Sequence, residues 1–165
     1  MEIKFFRRIL VGLVASGVVG VPLAVLAATT AENTVSYQVE PISEISVSGN
    51  PAVLIVNAAT AGSVPTTVTD ATTTYSYTAN QTRKITAALN TAMPSGVTLK
   101  IHLVAPTGGT SVGDVTLTTG SADVVTGIPT VNETGKTITY MLSATVAAGV
   151  VASAQKTVTL TVLAP

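Results

Sequence analysis

The stretch Thr157-Val158-Thr159-Leu160-Thr161-Val162 puts an apolar side chain at every second position and a threonine in each gap. Successive side chains of a strand point to opposite faces, so this spacing predicts a strand with one face in a core and the other in water. The alternation recurs along the chain. Val35, Tyr37 and Val39 alternate with Ser36, Gln38 and Glu40, which predicts a first strand, and Pro41 interrupts it. Ile42, Ile45 and Val47 predict a resumed edge segment. Tyr75 and Tyr77 mark a strand over 74–78, and Ile85, Ala87 and Leu89 mark the next. Leu99, Ile101 and Leu103 share one face, opposite Lys100 and His102, and Ile138, Tyr140 and Leu142 define a long strand. Shorter pieces are expected at Val115 and Leu117 and at Val124-Val125. Ala52 to Val56 is a continuous apolar run, which predicts a buried central strand. Gly49-Asn50-Pro51, Asn80-Gln81 and Pro106-Thr107-Gly108-Gly109 read as turns. Pro94-Ser95-Gly96 predicts a type I turn with proline second and glycine fourth. Residues 57–70 read mostly as loop.

No window has the 3.6-residue apolar period of an amphipathic helix. About seven to nine short strands, with turn signals every 8–12 residues or so, predict an all-β, Ig-like antiparallel sandwich. Val53, Ile55, Tyr75, Ile85, Leu99, Ile101, Leu103, Ile138, Tyr140, Leu142, Val158, Leu160 and Val162 are its expected core.

Residues 1–27 read as a targeting segment. Lys4, Arg7 and Arg8 precede an uncharged stretch beginning at Ile9, and Val25-Leu26-Ala27 supplies a small-residue end. That order predicts a secretory signal helix, cleaved to leave a single sandwich domain over 28–165. The competing expectation is a retained anchor, because the uncharged stretch continues to Ala31 and is long enough to span a bilayer. Gly12, Gly17, Gly20 and Pro22 weaken a long helix and favour cleavage. The expected location is secreted or cell-surface, with membrane contact only through an uncleaved signal.

The domain carries Arg83, Lys84, Lys100, Lys136 and Lys156 against Glu32, Glu40, Glu44, Asp70, Asp114, Asp123 and Glu133. With no basic stripe to neutralise phosphates, nucleic acid is not an expected partner. The chain has no cysteine, so an exported fold of this sequence relies on packing and ladder hydrogen bonds.

Side chains that could do chemistry are few. His102 is the lone histidine and falls on a polar strand face, where an exposed, inert role is expected. Ser111 and Asp114 could be drawn into a triad with it, but serines are too common here for that to count. Asp114 and Asp123 lie beside strands near glycines, yet the dense carboxylates of a calcium loop are missing. Gly108-Gly109 lacks the Lys-Ser/Thr and helix of a phosphate loop. Arg83-Lys84 reads as a solvated strand start. Tyr75 and Tyr77 share a face and could stack on a sugar, but core packing is the stronger expectation. Asn80-Gln81-Thr82 and Asn132-Glu133-Thr134 match a glycosylation triplet that is common by chance in threonine-rich chains. No catalytic residue, cofactor or metal is expected.

Ile138-Thr139-Tyr140-Met141-Leu142-Ser143-Ala144-Thr145, then Ala147-Ala148-Gly149, then Lys156 through Val162 resembles the closing strands of bacterial secreted Ig-like sandwiches. It is similar to the end of spore-coat-U-like and fimbrial-type subunits. The resemblance covers the C-terminal strands only. It implies a non-enzymatic surface or appendage subunit with no catalytic residues to carry over. The alternative expectation is an extracellular module that binds a glycan or a partner protein. Under the subunit expectation, Val35, Tyr37 and Val39 are candidate strand donors: they either form an ordinary first strand of their own domain or complete a neighbour's sheet.

Overall fold

The structure, a computed structural model, describes residues 30–165. The expected signal helix over 1–27 lies outside them. From Gln38 onward the chain forms one compact unit built from two antiparallel sheets. Its nine strands are β1 (Ser43–Val47), β2 (Val68–Ala79), β3 (Arg83–Leu89), β4 (Val97–Leu103), β5 (Thr110–Ser111), β6 (Val115–Thr116), β7 (Ala122–Ile128), β8 (Val131–Ala144) and β9 (Val158–Leu163). One sheet runs β1-β2-β8-β4-β6 and the other β5-β7-β3-β9. The fold is therefore the expected all-β antiparallel sandwich.

The core lies between the sheets. Tyr75, Tyr77, Leu99, Ile101, Leu103, Ile138 and Tyr140 face inward from the first sheet. Ile85, Ala87, Leu89, Val124, Val125 and Ile128 meet them from the second. Val124 and Val125 are neighbours in sequence yet both buried. The register explains this: Ile85 pairs with Val125 but Thr86 pairs with Asp123, so Val124 is an extra residue in a bulge. Leu142, Val158, Leu160 and Val162 are only partly buried, packed against the rim of the core.

Four expectations are corrected. Val53 and Ile55 are 82% and 59% exposed, and residues 52–56 form no strand. After Ser48 donates to the Thr74 carbonyl, Pro51 cannot donate to any ladder, and only Leu54 of this run packs against the core. β2 and β8 are longer than the alternation indicated, because bulges at Asp70/Thr73 and Tyr75/Tyr77 break the period without breaking the pairing. The turn after Pro94 has proline first, since Val97 N–H donates to the Pro94 carbonyl, and Gly96 stands third with φ +76°. That conformation belongs to a type II turn. A Cβ at Gly96 would also lie 2.8 Å from Thr145 Oγ1 and 2.9 Å from the Ala148 nitrogen, so this turn packs on the loop after β8. The fourth concerns residues 35–39, which form no strand in the chain's own structure.

Candidate functional site

The donor candidates Val35, Tyr37 and Val39 are 74%, 91% and 77% exposed, and residues 30–42 contain no strand. The physical reason lies at Asn80. Its Nδ2 donates to the Glu40 carbonyl at 2.8 Å, and its Oδ1 accepts from Ile42 N–H at 2.8 Å. Its own N–H donates to the Ile42 carbonyl at 3.2 Å. β1 pairs with β2 only from Ser43 opposite Ala79 onward, because β2 ends at Ala79 and turns into β3. A strand before Ser43 has no further β2 main chain to pair with. Pro41, lacking an N–H, seals that end of the ladder.

The two sheet edges nearest this entry point are β1 and β9, which lie side by side. β9 pairs with β3 through six consecutive residues without a register shift. Its inward side chains Val158, Leu160 and Val162 are half-buried, as is Ile45 of β1. The remaining edges, β5 and β6, are two residues each.

Tyr77 reaches the core beside this seam, and its hydroxyl is a buried polar atom without a hydrogen-bond partner. Burial raises its pKa, with the nearby Arg83 charge opposing. Tyr75 is equally buried, and its hydroxyl donates to the Val104 carbonyl at 2.7 Å. Burial, then the Glu133 charge, pushes its pKa upward. Both rings are core, which removes the aromatic platform for a sugar.

His102 and Asp114 do meet: Nδ1 lies 3.3 Å from Oδ1, with both side chains nearly half exposed. The β4–β6 register, Ile101 opposite Val115, carries Asp114 across from His102. Ser111 belongs to the other sheet, where its Oγ accepts from Gly113 N–H. Arg83 and Lys84 differ from a bare solvated start. Arg83 donates to Ser43 Oγ and to Gln81 Oε1, and Lys84 pairs with Asp123 at 3.3 Å. Among the described residues, no group of three His, Asp or Glu side chains could hold a metal ion. A groove of about 410 Å³ runs over Ile42, Ala79, Asn80 and Val131. The Asn80 amide that lines it is the one engaged in the residues 40–42 clamp.

Sequence reasoning missed Glu133. Strict alternation puts residues 133 and 136 on opposite faces, but the bulge between Tyr75/Lys136 and Tyr77/Glu133 adds a residue. Gly135, at φ +68°, makes that extra residue possible. Glu133 thus pairs with Lys136 and accepts Thr107 N–H at 2.9 Å, tying β8 to the loop after β4. These hydrogen bonds, Lys136 first and Thr107 second, lower its pKa to about 2. A glycine after Glu-Thr inside a strand pattern was the available signal.

No family model matches the chain, and no curated protein or solved structure matches it either.

Proposed function

We propose that this chain is an exported, non-enzymatic structural protein of the cell surface or exterior, a subunit that associates with its own copies by strand addition. The observation that carries the reading is the segment Val35–Val39: it has the alternation of a strand, yet it is exposed and unpaired in its own domain. Main-chain hydrogen bonds to another copy's sheet supply affinity, and alternate apolar side chains supply register. Such a contact is heterologous, since each copy gives one surface and receives on another, so it extends into chains or rings. The basic, apolar and small-residue order of residues 1–27 supports export.

The test is deletion of residues 28–40 behind an intact export segment, followed by size exclusion and electron microscopy. The full chain is expected to form regular assemblies. The deleted chain is expected to remain soluble, β-rich and monomeric. A full chain that stays monomeric at all concentrations, or that is instead retained on a glycan array, contradicts the subunit reading.

A further inference from the structure

We propose that the open edge of β9 is the receptor for Val35–Val39 of a second copy, with Val35, Tyr37 and Val39 seated over the half-covered side chains of the β1/β9 seam. The inference rests on the assembly reading above and adds the surface that receives the donor.

Three observations select β9. First, it is the edge left unguarded. Edge strands are usually blunted by charge, proline, a bulge or shortness. β5 and β6 are short, and β1 carries Glu44. Val158–Leu163 is six residues long, regular, and free of charge and proline. Second, the seam lacks cover. In a finished sandwich an inward Leu or Val in the closing sheet is buried, whereas Ile45, Val158, Leu160 and Val162 stay partly open. An added strand with side chains at every second position covers that row. Third, the charges match. Among the described residues neither Lys156, just before β9, nor Arg83, beside Ser43 at the far end of the seam, has a carboxylate partner. The donor segment is uncharged and flanked by Glu32 and Glu40. Eight residues of extended chain separate these acids by about 26 Å, and the seven residues from Lys156 to Leu163 span about 23 Å.

The chain has no cysteine, so introduced thiols report without interference. Ser36→Cys or Gln38→Cys in one full chain is mixed with Thr159→Cys or Thr161→Cys in another. All four positions alternate with the inward side chains, so no core contact is lost. Directly paired strand residues approach closely enough for a disulfide. At least one combination is expected to form an intermolecular bridge. Tyr37→Pro in the donor, which removes one main-chain donor and the central ring, is expected to cut its yield about tenfold. Glu44→Cys on β1 serves as the competing receptor. Assemblies that form while bridges go to Glu44→Cys, or to no tested position, overturn β9 as the receptor and leave the subunit reading standing. A bridge that forms within one chain carrying both thiols, at dilutions where no assembly exists, shows self-occupation and overturns the second copy as donor. A full chain that never assembles overturns both.

Discussion

Val35-Ser36-Tyr37-Gln38-Val39 and Val158-Thr159-Leu160-Thr161-Val162 carry the same pattern, yet one is exposed and unpaired and the other is a strand. Propensity does not separate them, since both are rich in β-branched residues or tyrosine. What separates them is a neighbour. β9 finds six residues of β3 in register, whereas the chain before Ser43 meets the end of β2 and the Asn80 clamp. Alternation states which face a strand would bury. The availability of a partner main chain decides whether the strand forms. The two segments also differ in what they leave open: residues 35–39 carry a strand pattern with no main chain beside them, and β9 pairs on one side only.

The comparison can be broken most sharply from the paired side. Ile101 is fully buried between Tyr140 and Val115 in the ladder, and Ile101→Ala is expected to cost about 2–5 kcal/mol in urea unfolding. Leu160→Ala, on the half-covered edge, is expected to cost about 1–2 kcal/mol in the monomer, and more in the assembly. Equal costs for the two would mean that the seam is already closed.

The Glu133 pair gives a pH-dependent check on the interior of the same sheet. Its folded pKa of about 2 lies below the ordinary 4.5, so its contribution is full above pH 4.5 and is lost as the pH falls toward 2. The thermal midpoint of the native domain is expected to fall across that window. Glu133→Gln is expected to flatten this part of the profile. Smallest of all, Tyr37→Ser is expected to change monomer stability by no more than about 0.5 kcal/mol, as at any exposed position. A larger loss would mean that the ring packs within its own domain.

Much of the sandwich was legible because alternation and turn chemistry agree at β3, β4, β8 and β9. Tyr75, Ile85, Ile101 and Ile138 are buried where the period puts them. The failures have local causes. Residues 52–56 are apolar enough for a central strand, but composition cannot say whether a ladder lies alongside. The first half of β8 hid behind Asn132-Glu133-Thr134, because a bulge resets the period that a sequence reading counts. The same bulge concealed the Glu133–Lys136 pair, and the short β6 concealed the approach of Asp114 to His102. The donor residues were legible as a strand pattern, but their lack of a partner was not, since it depends on where β2 ends.

Amide hydrogen exchange read over both segments at once tests the central claim most directly. At dilutions that keep the full chain monomeric, amides of residues 158–163 that pair with β3 are expected to be protected, while those of 35–39 exchange as an unstructured chain. On concentration into assemblies, residues 35–39 are expected to become protected together with the amides on the outer edge of β9. Protection of 35–39 in the dilute monomer, or assembly without any gain of protection there, would contradict the account.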